Sequence, residues 1–182
     1  MFARTPRLLL RPGWAEDAPA LAAAIGDEGI VRNLGTVPWP YRLRDAEAFL
    51  AGPRDPVLPS LLAFRRTAVE PELVGGCSLR RKPSGAVEIG YWTARAHWGR
   101  GFATEAAAAL VDIARALRIA RVEGAHFTDN PASGRVLEKL GFEPTGITAP
   151  RLSLGRGAEV PCRMLRLDLD ASSTPGEESL AA

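Results

Sequence analysis

Two stretches with a strand-like pattern, Leu73–Arg81 and Ala86–Thr93, are separated only by a turn at Pro83-Ser84-Gly85. A parallel return needs a crossover of a dozen or so residues, so this turn forces the two strands to run antiparallel. The second strand does not turn back again. It runs through Trp98-Gly99-Arg100-Gly101 into a helix over Ala103–Leu117, whose Ala103, Ala107, Leu110, Ala114 and Leu117 form one apolar stripe. Arg115 and Arg118 lie near its C-terminal end, where cations suit the helix dipole. A hairpin strand that feeds a helix excludes a regular βαβ array and predicts a mixed sheet with helices on it.

The flanking segments fit that plan. Arg7–Arg11 reads as a first strand, ended by Pro12-Gly13. A helix is predicted over Glu16–Ile25, a short second helix within Gly26–Leu34 and another over Asp45–Leu50. Gly35–Tyr41 carries two prolines with Trp39 and Tyr41, a loop with aromatic side chains to place. Ser60–Thr67 is a strand, and beyond the long helix come a strand at Arg121–Phe127 and a helix at Asn130–Leu140. Asn130 is its N-cap, Pro131 stands in its first turn and Gly141 follows its end. Phe142–Thr148 and Glu159–Leu169 complete the strands. Residues 1–170 read as one domain, and the small, polar, aperiodic residues 171–182 as a disordered tail.

Several function classes drop out. No apolar run approaches the roughly 18 residues needed to span a bilayer, and the N-terminus lacks a signal-peptide layout, so a cytoplasmic address is expected. His97 and His126 are the only histidines and match no metal-ligand spacing, which argues against a metal site and a Ser-His-Asp hydrolase. His126 is expected to pack in the core, and Cys77 and Cys162 are expected to be buried, reduced thiols. A net charge of +2 gives no ground for nucleic-acid binding.

The loop Trp98–Glu105 carries the most chemistry. Glycines there let the backbone approach a ligand, and the first amides of the helix have no internal partners. A phosphate or pyrophosphate would satisfy them, with Arg100 and Arg95 adding charge. A tight strand–helix turn using glycine for geometry alone is the alternative. There is no Gly-Lys-Ser/Thr of a Walker loop. A dinucleotide site is disfavoured because the loop follows an antiparallel hairpin late in the chain.

Glu88-Ile89-Gly90-Tyr91-Trp92 followed by Trp98-Gly99-Arg100-Gly101-Phe102-Ala103-Thr104-Glu105-Ala106 resembles the acetyl-CoA site of the GNAT superfamily of N-acetyltransferases. The ribosomal-protein N-terminal acetyltransferase-like (RimJ/RimL-type) branch is the most similar. Asn130-Pro131-Ala132-Ser133 through Glu138-Lys139-Leu140-Gly141-Phe142 is similar to the family's next motif, and the likeness covers roughly residues 4–169. It implies an α+β fold: a mixed, mostly antiparallel sheet with two splayed parallel central strands, Ala86–Thr93 and Arg121–Phe127, and flanking helices.

It also implies an acetyl-CoA cosubstrate and no metal. Backbone groups of Tyr91, Trp92 and Thr93 would pair with the pantetheine arm. The segment Trp98, Gly99, Arg100, Gly101, Phe102, Ala103 and Thr104 would hold the pyrophosphate, with Asn130 and Ser133 near the thiol end. The acceptor would be a small-molecule amine or a protein N-terminus, and the chain a monomer or homodimer. Many members carry a tyrosine seven residues after the motif asparagine, where this chain has Leu137. Some place a glutamate near Pro150–Ser153, where this chain has Arg151 and Leu152.

The reaction so implied is direct attack of a neutral amine on a thioester. An amine with a pKa near 10.4 is mostly protonated at neutral pH, so a base or water relay must remove its proton. Glu88 is the candidate base; a strand-end carboxylate that faces solvent or pairs with an arginine is the alternative. Ser133 is placed to hydrogen-bond the leaving sulfur or to satisfy a helix-start amide, and Asn130 shares this catalytic assignment alongside its capping role. Tyr91 is a possible proton donor or a core tyrosine. Trp39 and Tyr41 are candidate walls of the acceptor pocket. A non-catalytic acyl-CoA-binding module is the competing class.

Overall fold

The computed structural model describes residues 1–169, so the predicted tail at 171–182 lies outside the described residues. Its strands are β1 (Ala3–Arg4), β2 (Leu8–Arg11), β3 (Ser60–Arg65), β4 (Glu72–Arg81), β5 (Val87–Thr93), β6 (Arg121–Phe127), β7 (Glu143–Ser153) and β8 (Ala158–Asp168). The helices are α1 (Ala18–Ile25), α2 (Glu28–Val31), α3 (Leu43–Ala51), α4 (Phe102–Ala116) and α5 (Pro131–Lys139). The strands form one sheet in the order β1-β2-β3-β4-β5-β6-β8-β7. Every neighbouring pair is antiparallel except β5 and β6.

Alternate side chains of a strand point to opposite faces, and β3 shows which helices cover which. Leu61 and Ala63 pack with α4, through Ala106, Ala107, Leu110, Val111 and Ala114, in the larger core. Leu62 and Phe64 pack on the other face with Ala18, Leu21 and Ile25 of α1 and Ala46 and Leu50 of α3. Of the apolar stripe predicted for the long helix, Ala107, Leu110 and Ala114 have no exposed surface, Ala103 and Leu117 are half-buried, and Phe102, Ala106 and Val111 widen the buried face.

The central parallel pair is the feature that positions the site. β5 and β6 share a register only at Val87–Val122 and Glu88–Glu123, and beyond those two pairs they part. β4 stays in register with β5 from Val87 to Thr93, and β8 with β6 from Arg121 to Phe127. The gap therefore opens between two strands that are each held from the outside.

Two expectations change. The strand read as Phe142–Thr148 continues to Ser153 as β7, because β7 is the sheet's last strand. An edge tolerates Pro144 and Pro150, and a register shift between Pro144 and Thr148 absorbs Gly146. The two-residue strand β1, which pairs with Leu9 and Leu10, was too short to leave a pattern.

Candidate active site

Beyond Glu88 the splay opens into a cavity of about 1080 Å³, bounded by α1 and α3 on one side and reaching α5 on the other. Tyr41, Glu88, Tyr91, Trp92, Asn130 and Ser133 all line it. The sequence-predicted residues from β5, from α5 and from the loop before α3 thus meet around one space. Trp39, 41 % exposed, stands outside that lining, as do Thr93 and the segment Trp98–Thr104.

The glycine loop sits at the head of α4. Gly99 and Gly101 have φ of 74° and 79°, the left-handed region that glycine enters without strain. The first helical bond runs from the Glu105 amide to the Gly101 carbonyl, so the amides of Phe102, Ala103 and Thr104 have no intrahelical acceptor. Glu105 is tied down by the Thr5 hydroxyl at 2.5 Å, the Arg7 amide at 2.8 Å and the Arg7 guanidinium at 2.6 Å. Burial pulls against its ionisation, but these donors win and hold its pKa below the ordinary carboxylate value. The loop is thereby anchored to the N-terminal strands.

Its neighbours are not free for every role foreseen. The Thr93 carbonyl already accepts the Trp98 indole N–H at 2.7 Å. Arg95 leans on Asp27 at 3.3 Å and lies over the Trp98 ring, so its charge is partly spent. The Arg100 side chain turns toward a separate hollow that it shares with Arg7, Arg65 and Arg66.

At the far side of the cavity, α5 starts as its sequence predicts: Asn130 Oδ1 accepts the Ser133 amide at 3.4 Å. The Tyr91 hydroxyl donates to the Ser133 carbonyl at 2.8 Å and lies 3.0 Å from Ser133 Oγ. Burial pushes its pKa up to about 12, against a small opposing effect of Ser133, so Tyr91 keeps its proton at neutral pH. Leu137 is 1 % exposed and belongs to the core between α5 and the sheet. His126 is not a core residue: it is half-buried in the cavity wall, its ring against Gly134 and Nδ1 2.9 Å from the Phe127 carbonyl.

Glu88 is 6 % exposed, and its two oxygens meet guanidinium groups from two strands. Arg80 Nη2 of β4 donates to Oε2 at 2.9 Å. Arg151 Nη2 of β7 lies 2.7 Å from Oε1, yet no donor is aligned on that oxygen. Glu88 thus pairs with arginines, as one of its two sequence readings had it, and also lines the cavity. Arg151 was noted in the sequence only as a departure, at the place where some family members carry a glutamate; its contact with Glu88 is seen only in the fold. Among the described residues no three His, Cys, Asp or Glu side chains gather to hold a metal ion, and no helix is long and apolar enough to cross a membrane. Cys77 and Cys162 are buried and unpaired.

Residues 7–143 match the family model described as "Acetyltransferase (GNAT) domain". The uncharacterized N-acetyltransferase YoaA of Bacillus subtilis is 30 % identical over 149 residues, 79 % of this chain and 83 % of that protein. Among solved structures, a GNAT-family acetyltransferase from Bacillus anthracis superposes with a TM-score of 0.79 at 20 % identity, covering 93 % of this chain and 99 % of that one. RimL, a ribosomal L7/L12 α-N-protein acetyltransferase solved with coenzyme A, superposes at 0.76 and 22 % identity, covering 94 % and 100 %. A sheet that splays at its one parallel pair beside the glycine-led start of α4, and a family match across most of its length, make this chain a member of the GNAT family of acetyltransferases.

Proposed function

We propose that this acetyltransferase moves an acetyl group from acetyl-CoA to a primary amine by direct attack of the amine on the thioester. The observation that carries the reading is that three features meet along β5 and the helix it leads into. These are the parted edges of β5 and β6, the partnerless amides at the head of α4 and the buried carboxylate of Glu88. The coenzyme A in the RimL structure supports the choice of cosubstrate. The residues present fit such a molecule: Tyr91 and Trp92 on the unpaired edge of β5 for the pantetheine amides, and the Gly99–Thr104 segment for the pyrophosphate.

Acetyl-CoA supplies the activated acyl group; the chain supplies position and proton traffic. Glu88 takes the proton that the amine must lose, through Oε1 or an intervening water. On the opposite side, the Tyr91–Ser133 pair presents hydroxyl groups to the place where a thiolate departs. A thiol pKa of about 8.5 makes the departing thiolate a far weaker base than the Tyr91 phenolate, so a hydroxyl there stabilises it by a hydrogen bond and the sulfur takes its proton from solvent. Asn130 fixes Ser133 by capping the helix that carries it. Tyr41 closes the acceptor side of the cavity.

The acceptor is a small-molecule amine or a protein N-terminus. Incubation with acetyl-CoA and a panel of amines, read as free thiol release, tests the reading. Amine-dependent release is expected. Tight acetyl-CoA binding with no transfer to any amine would contradict it and leave a binding module.

A further inference from the structure

Glu88 and Arg151 set opposite charges side by side on the inner wall of the cavity, 2.7 Å apart. Because Arg80 holds the other Glu88 oxygen, two guanidinium groups share one carboxylate and the cluster keeps a net positive charge. Burial pulls the pKa of Arg151 down, but the neighbouring Glu88 charge outweighs it and holds it above the ordinary value, so this charge is permanent. The cavity's other acids are used internally. Asp45 Oδ2 accepts the Arg42 amide at 2.7 Å, and Asp55 Oδ1 accepts the Val57 and Leu58 amides. Arg54 donates to the Gly13 and Leu50 carbonyls, and Arg81 to the Gly85 carbonyl. With Arg54 and Arg81 set against Asp45 and Asp55, the described residues that line the cavity keep one positive charge in excess.

A partly buried charge without a full complement is costly, and so is a buried acceptor without a donor. The wall can therefore take two things at once: a donor aligned on Glu88 Oε1 and an anion to balance the second of the two guanidinium groups. An α-amino acid carries both, its amine and its carboxylate on the same carbon. A peptide N-terminus offers the amine but puts a neutral amide where the carboxylate would be.

We propose that the acceptor is a free amino acid or a similar small amino-carboxylate, its amine held by Glu88 and its carboxylate by Arg151. The proposal rests on the acetyl-transfer reading above. The ammonium gives one proton to the Glu88 carboxylate, and the freed nitrogen bonds to the acetyl carbon. The C–S bond breaks, the thiolate takes up a proton, and one proton is released overall. Leu21, Ile25, Leu62 and Trp92 on the same cavity make room for an apolar side chain.

The test uses the full chain with acetyl-CoA and three pools: the standard L-amino acids, their carboxamides and a set of tripeptides, with acetylated products read by mass spectrometry. Free acids are expected to exceed the matching amides by at least about tenfold in kcat/KM, because an amide leaves Arg151 unpaired. Arg151→Gln should erase that preference through KM, and Arg151→Lys should restore part of it. Unchanged acetyl-CoA affinity in both variants verifies that they fold. Amides or peptides acetylated as well as acids, or an unchanged preference in Arg151→Gln, would overturn the proposal. Acetyl-CoA binding without product from any pool would overturn the acetyl-transfer reading and the proposal with it.

Discussion

Glu88 shows what a single residue can and cannot reveal in a sequence. Its place on the strand before the glycine loop made it the candidate base, and the structure puts it on the cavity with 6 % of its surface exposed. Its partners were not legible. Arg80 reaches it across a hairpin, but Arg151 comes from a strand 63 positions later, by a fold-dependent contact that no local spacing encodes. Tyr91 and Ser133 are a similar pair: each stood in a motif, while their hydrogen bond depends on α5 packing on β6 within reach of Tyr91. Glu88→Gln keeps the shape but removes the proton acceptor. The account predicts a loss in kcat of about tenfold or more, with acetyl-CoA affinity little changed. Steady-state kinetics with a saturating amine checks this, and unchanged kcat at neutral pH would remove Glu88 as the base.

At the scale of elements, the parts with strong local signals were read well and the rest were set by neighbours. The long helix and α5 declared themselves by stripe and caps; β7 did not, because only an edge position lets a strand keep two prolines. The docking of α1 depends on one such non-pattern feature. Arg11 of β2 grips Asp17 with both nitrogens at 2.7 and 2.8 Å, Asp17 also accepts the Trp14 amide, and the guanidinium lies between the Trp14 and Phe64 rings. The Arg11 bond, helped by the Trp14 amide and opposed by burial, lowers the pKa of Asp17 below 3.8. A lowered folded-state pKa means stability that is fully present above pH 3.8 and lost as pH falls through the folded value. Asp17→Asn is therefore expected to cost about 2 kcal/mol at pH 7 and progressively less below pH 4. Urea melts across that range check it; a cost independent of pH would contradict it.

For the whole molecule, the antiparallel hairpin and the strand–loop–helix order pointed to a mixed sheet, and the family resemblance implied the splay between β5 and β6; both are present, while the order β6-β8-β7 was not read from the sequence. The cavity was the least legible part. It is assembled from α1, α3, the loop before α3, β5, β7 and α5, so its volume and charge exist only once the chain has closed on itself. The central claim is that the head of α4 and the splay together bind acetyl-CoA, and calorimetric titration of the wild type beside Gly101→Val tests it most directly. Gly101 has φ of 79°, which a β-branched residue adopts only under strain. The account predicts one-to-one binding at about micromolar affinity for the wild type, no response to NAD, and loss of binding in a variant whose circular dichroism is unchanged. A folded wild type that ignores acetyl-CoA, or a Gly101→Val variant that binds it as tightly, would contradict the account.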